Sequence, residues 1–117
     1  MVFLYFQSHC GFCKKQIPYW SQLVSQIDRS KYDIVAITAE NNMDDVKKFV
    51  NNYEVSAWKV LSIRAEDANI AKLNATPITV VADDNGVVEK AWVGMWRESE
   101  LDDARKYFAI DFVAQTK

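Results

Sequence analysis

The chain has 117 residues, half of them apolar and 26% charged, with a formal net charge of −2. This composition excludes a disordered or low-complexity chain, the length excludes two ordinary domains, and the charge offers no electrostatic case for nucleic acid as a partner. A chain of this size removes roughly two-thirds of its unfolded surface from water on folding, so one domain over 1–117 with its own core is expected.

No stretch approaches the ~20 apolar residues of a membrane span, so no membrane anchor is expected within this chain. Residues 1–6 are apolar but too short for the core of a signal peptide and have no basic flank. Glycine is scarce, at Gly11, Gly86 and Gly94, and proline scarcer, at Pro18 and Pro77, so each is expected to mark a specific backbone requirement.

In chain order, Val2, Phe3, Leu4, Tyr5 and Phe6 form a continuous apolar run that predicts a strand buried on both faces. From Gly11, Ile17, Trp20, Val24 and Ile27 recur at helical spacing, with Pro18 predicting a kink, and residues 28–30 end the helix. Residues 32–38 predict a second buried strand. Asn41 or Asn42 is placed to cap a following helix, with Asp44 and Asp45 in its first turn and Val46, Phe49, Val50 and Tyr53 on its apolar face. Residues 58–63 predict a weaker strand and 66–73 a short helix. Residues 78–82 and 87–93 read as a hairpin around Asp83, Asp84, Asn85 and Gly86. A last helix is predicted over 98–112, with Ser99 and Asp102 placed as a capping box and Leu101, Ala104, Phe108 and Phe112 facing inward. The order β-α-β-α-(β)-α-β-β-α predicts an α/β fold, a mixed central sheet with helices on both faces.

The two cysteines, Cys10 and Cys13, are the only ones in the chain. A bond between them closes a tiny loop and constrains little of the unfolded chain, so stability does not explain the pair. A Cys-x-x-Cys opening a helix brings two sulfurs within bonding reach. At the helix N-terminus the unpaired N–H groups and the dipole favour the Cys10 thiolate, the attacking species in thiol–disulfide exchange. Cys13, one turn in, is placed to resolve a mixed disulfide. A protonated His9 favours the thiolate further, and Lys14 and Lys15 add positive potential. Two other readings stand beside this one. Half a zinc site needs four ligands in all, but there is no second pair and His9 is the only histidine. Two unrelated core cysteines fit poorly with a position just after a buried strand, where α/β sheets expose their functional edge.

At these residues the chain resembles the thioredoxin superfamily, most closely the TlpA/ResA-type thiol-disulfide oxidoreductases. Phe3-Leu4-Tyr5-Phe6 resembles the strand that delivers the active site, Cys10-Gly11-Phe12-Cys13-Lys14-Lys15 the redox motif, and Pro18 the proline of the active-site helix. Asp33-Ile34-Val35-Ala36-Ile37 resembles the second strand and Thr76-Pro77-Ile78-Thr79-Val80-Val81 the segment with the family's cis-proline. Asp84-Asn85-Gly86 resembles the hairpin turn that follows, and Gly94 a glycine after the last strand. The resemblance implies a cis bond before Pro77 and substrate contacts from Thr76 and Pro77, beside His9, Gly11 and Phe12. Thioredoxins carry a buried aspartate six residues before the first cysteine, where this chain has Leu4; the TlpA/ResA type uses a glutamate after the second strand, for which Glu40 is the candidate proton relay. His9 replaces the tryptophan of thioredoxins, and Gly11-Phe12 lacks their proline. The first β-α unit of thioredoxin has no counterpart, which implies a minimal fold or a piece of a longer chain.

The leading expectation is an enzyme, a thiol-disulfide oxidoreductase acting on protein thiols and disulfides with a redox partner that regenerates the dithiol. It needs no organic cofactor and no metal, and a monomer is expected. Family resemblance favours an extracytoplasmic location, in the bacterial periplasm or cell envelope, with the cytoplasm as the alternative. Competing readings are a soft-metal chaperone holding Cu(I) through Cys10 and Cys13, with Met43 or Met95 reaching in, and a redox-inactive substrate-binding module. Trp58, Trp92 and Trp96 read first as packing residues, with Trp96 a candidate for the active-site surface.

Overall fold

A computed structural model of the chain describes residues 1–52 and 58–114. In chain order the elements are β1 (Val2–Tyr5), α1 (Gly11–Gln26), β2 (Ile34–Thr38), α2 (Met43–Asn52), β3 (Val60–Ser62), α3 (Ala65–Ile70), β4 (Ile78–Ala82), β5 (Val88–Val93) and α4 (Glu98–Phe108). They follow the predicted order. The position of Tyr53 on the apolar face of α2 lies outside the described residues.

The five strands form one sheet in the order β3-β2-β1-β4-β5. β1 pairs in parallel with β2 and antiparallel with β4; β3 joins β2 in parallel and β5 joins β4 antiparallel. The period-two alternation of β1 sends Leu4 and Phe6 to one face and Phe3 and Tyr5 to the other. The first face carries the main core, built with α1, α2 and α4 through Ile17, Trp20, Leu23, Phe49, Leu101 and Ala104. Phe6 and Phe49 stack at 5.1 Å between centroids. The second face is covered by the short α3, whose Ala68 packs with Tyr5, Ile37 and Ile78.

The register decides where the site lies. Tyr5, the last residue of β1, sits opposite Ile37 of β2 and opposite Ile78, the first residue of β4. Ile78 in turn faces Val93, the last residue of β5. The segments that follow β1, β2 and β5 and the one that precedes β4 therefore meet at a single end of the sheet.

Several local predictions are corrected. The last helix ends at Phe108, because Ala109 takes the left-handed conformation (φ 54°) and turns the chain; Phe112 is still buried, from beyond the helix. Ser99 and Asp102 form no capping box. The Glu100 carboxylate accepts from the Arg97 N–H at 3.0 Å, while Asp102 pairs with Arg105 at 2.7 Å. Of the three glycines, Gly86 and Gly94 have positive φ (80° and 97°) and Gly11 does not; Gly11 is an ordinary first helical residue with open space around it. α1 continues through Pro18. The Asn42 side chain caps α2, accepting from the N–H groups of Asp44 and Asp45. No helix among the described residues is long and apolar enough to cross a membrane.

Trp20 is fully buried, and its indole N–H donates to the Thr79 hydroxyl at 2.9 Å, tying α1 to β4. Trp20→Phe removes the donor and leaves a buried hydroxyl unpaired, so a loss of about 1–3 kcal/mol is expected in urea unfolding. An unchanged midpoint would show that this tie contributes nothing.

Candidate active site

Cys10 is the residue just before α1, extended at φ −109° and ψ 109°, and its sulfur accepts the Cys13 N–H at 3.0 Å. A sulfur thus occupies the place that a serine or aspartate oxygen takes at other helix starts. The Cys13 N–H and the positive end of the helix dipole thus both point at this sulfur. On its other side Cys10 Sγ lies 3.7 Å from the Thr76 carbonyl oxygen, to which the thiol donates. Cys10 is half-buried, and both cysteines are free thiols.

Cys13 has no exposed surface and belongs to the main core. Burial pushes its thiol up from the ordinary value to about 12, and the hydrogen bond with Cys10 adds to the rise. The Gln7 backbone and the Thr76 side chain act in the opposite direction. One turn of helix therefore separates a half-buried sulfur at the helix start from a shielded sulfur that holds its proton.

The Thr76–Pro77 peptide bond is cis, and the Gly94 N–H donates to the Pro77 carbonyl at 2.7 Å. Thr76 is thus held beside Cys10, as the resemblance implied. Phe12 projects outward with 52% of its surface exposed, and the Lys15 ammonium lies 5.9 Å from its ring centroid.

Glu40 stands just after β2 and reaches across to the loop that precedes Cys10. One carboxylate oxygen accepts from the Ser8 hydroxyl at 2.6 Å and the other from the Ser8 N–H at 2.8 Å. His9 has a partner on the next helix. Its Nε2 lies 2.8 Å from Asp45 Oδ2, and the side chain is 78% exposed, so its ring is engaged with the first turn of α2. His9, Glu40 and Asp45 each offer one ligand atom within 4.8 Å of the others. Both Glu40 oxygens are, however, already engaged with Ser8.

Sequence reasoning missed Ser8, Asp45 and Tyr5. Burial raises the Tyr5 hydroxyl above its usual range, and the charges of Cys13 and Glu40 add to the effect, so this hydroxyl is within electrostatic reach of both. Trp96 is corrected as a surface candidate. It is buried against Trp92 at 5.5 Å, and its backbone N–H donates to the buried Gln16 Oε1 at 2.7 Å. Trp92 is core as well, and Trp58 is half-buried, edge-on to Trp20 at 6.3 Å.

The raised Cys13 fixes a sign for stability. Between the ordinary thiol range and about 12 the unfolded chain gives up this proton while the fold keeps it. Stability from this source is complete below pH ~8.5 and is lost as the pH rises toward about 12. Urea midpoints of the reduced protein should fall across that window, and Cys13→Ala should flatten the first part of the fall. Tyr5 and Tyr107, whose hydroxyls are also raised by burial, act above the ordinary tyrosine range and remain in the variant. Parallel curves for the two proteins would contradict the assignment.

Comparisons with known proteins agree with this architecture. A structure from Chlorobium tepidum named for the thiol:disulfide interchange protein DsbE superposes with a TM-score of 0.78 at 18% identity, over 92% of this chain and 77% of that one. StoA from Bacillus subtilis superposes with a TM-score of 0.69 at 19% identity, over 87% and 78%. A secreted Mycobacterium tuberculosis disulfide oxidoreductase homologous to E. coli DsbE gives 0.66 at 20%, over 91% and 79%. At such identities the likeness establishes a thioredoxin-like fold. Among curated proteins none matches the chain. Residues 1–113 match the AhpC/TSA family, and the chain, with its thioredoxin-like sheet and paired cysteines at the head of α1, belongs to that family.

Proposed function

We propose that this protein is a thiol-disulfide oxidoreductase that exchanges disulfides with protein substrates through Cys10 and Cys13. The observation that carries the reading is the inequality of the two thiols: Cys10 caps α1 with its sulfur and is half-buried, while Cys13 is buried and raised to about 12. Exchange needs that division of labour.

In the reductive direction the Cys10 thiolate attacks one sulfur of a substrate disulfide. A Cys10–substrate bond forms, and the other substrate sulfur leaves as a thiolate. Cys13 gives up its proton and attacks Cys10 Sγ. The Cys10–Cys13 bond forms, and the second substrate sulfur leaves, so two electrons have passed from the dithiol to the substrate. A dithiol partner restores the starting state, and the same steps run backwards oxidise a substrate dithiol. Cys13→Ser is expected to accumulate a mixed disulfide through Cys10, visible as a reductant-sensitive adduct by mass spectrometry, and Cys10→Ser to form none. Adducts that persist in Cys10→Ser would overturn the roles.

Glu40 is assigned the proton relay. Its support is its hold on Ser8, two residues before Cys10, and the charge effect that it and Cys13 both exert on the Tyr5 hydroxyl. Glu40→Gln should slow resolution roughly 10²-fold or more, in the range of general acid–base effects, and change the pH profile of exchange. An unchanged profile removes Glu40 from the mechanism. Thr76 and Pro77, with Gly11, Phe12 and the exposed edge of His9, form the surface that meets the substrate. We place the protein outside the cytoplasm, in keeping with the secreted Mycobacterium tuberculosis oxidoreductase among its structural neighbours, and acting as a monomer.

A further inference from the structure

Three side chains of metal-ligating type converge beside the loop that precedes Cys10, each from a different part of the chain. His9 lies in that loop, Glu40 just after β2 and Asp45 in the first turn of α2, and each offers one ligand atom within 4.8 Å of the others. His9 Nε2 and Asp45 Oδ2 are 2.8 Å apart. Two ligands on one tetrahedral zinc ion, each at ~2.0 Å, stand roughly 3.3 Å apart, so a shift of about 0.5 Å admits an ion between them. The His9 side chain is 78% exposed and that of Asp45 28%, so the ring has room for that shift and water can reach the open positions. Asp45 is not needed as a helix cap, because the Asn42 side chain already accepts from the N–H groups of Asp44 and Asp45. Glu40 is held by the buried Ser8, which donates its hydroxyl to one carboxylate oxygen at 2.6 Å and its N–H to the other at 2.8 Å. Each oxygen of an ionised carboxylate has two lone pairs, so each keeps one for a metal.

We propose that His9, Glu40 and Asp45 bind a divalent transition-metal ion of the zinc class, with water completing the coordination. The imidazole nitrogen selects this class over Mg²⁺ and Ca²⁺, which take oxygen ligands. Two carboxylates and a neutral imidazole balance the two charges of the ion. The ion takes the place of the proton between His9 Nε2 and Asp45 Oδ2. In a neutral ring that proton moves to Nδ1, and from a charged ring it leaves to solvent. The two hydrogen bonds from Ser8 then orient a ligating carboxylate, as outer partners do at metal sites. Bound there, the ion joins the loop before Cys10 to the start of α2. The site uses neither cysteine sulfur, so it stands apart from the exchange reading above.

The test titrates Zn²⁺ into the oxidised protein by calorimetry. With Cys10 and Cys13 bonded to each other, no thiolate competes for the metal. We expect saturable binding of a single Zn²⁺ per chain, which a large excess of Mg²⁺ does not displace. Ser8→Ala, which removes only an orienting hydrogen bond, should weaken it roughly 10-fold. His9→Ala and Asp45→Asn, which remove ligands, should each weaken it by more than that. Asp44→Asn, next to Asp45 but outside the group, should leave the affinity unchanged. Zinc should also raise the urea midpoint of the oxidised wild-type protein, a readout that stands if a variant fails to fold. Absence of saturable binding, displacement by an equal concentration of Mg²⁺, or an unchanged affinity in His9→Ala would overturn the site and leave an acidic patch. None of these results bears on disulfide exchange.

Discussion

Pairing of β1 with β4 in antiparallel register, Tyr5 against Ile78, is the constraint on which the rest of the molecule depends. It places the exit of one strand beside the entry of another. The loop carrying Cys10 and the loop carrying Thr76 and Pro77 then have no choice but to meet, although 66 residues separate Cys10 from Thr76. A slip of one residue would turn every side chain of β1 to the wrong face, sending Leu4 and Phe6 away from the core that α1 needs. Hydrophobic burial therefore fixes the position of the chemistry. Trp20 reinforces the same arrangement from the helix side, since its bond to Thr79 locks α1 to the strand that follows the cis-proline.

What could be read in advance was what is encoded locally. The cysteine pair, the apolar run of residues 2–6, the Asn42 cap and the hairpin around Gly86 each announce themselves within a few residues, and each stands in the structure. The resemblance supplied what local chemistry does not, the cis bond at Pro77. The errors share a cause. Ser99 and Asp102 satisfied a capping pattern, but Glu100 reached the free N–H first. The predicted last helix is too long because its true end is marked by an alanine with positive φ, where sequence offers no glycine to read. The pairing of His9 with Asp45, 36 residues away, cannot be read locally, because the two come near only when β2 docks beside β1.

Two consecutive residues before Cys10 are thereby tied to the segment beyond β2: Ser8 to Glu40 and His9 to Asp45. Loops that carry reactive groups gain precision when a neighbouring element holds them. Here the ties come from carboxylates, so the anchoring of the loop and the charge near the site are set by the same side chains.

The sulfur cap on α1 has a thermodynamic meaning beyond catalysis. Redox state and folding form a closed cycle, in which the reduced and oxidised proteins each fold and unfold and each pair interconverts by electron transfer. Any free energy that the Cys13 N–H adds to the folded dithiol through Cys10 Sγ must reappear on another edge of that cycle. It appears as a higher reduction potential, since a fold that favours its reduced form is the stronger oxidant. A single backbone hydrogen bond at the first turn of a helix thus couples conformational stability to electron affinity. In the exchange proposed above, the helix start that holds the Cys10 sulfur also helps set the direction of electron flow.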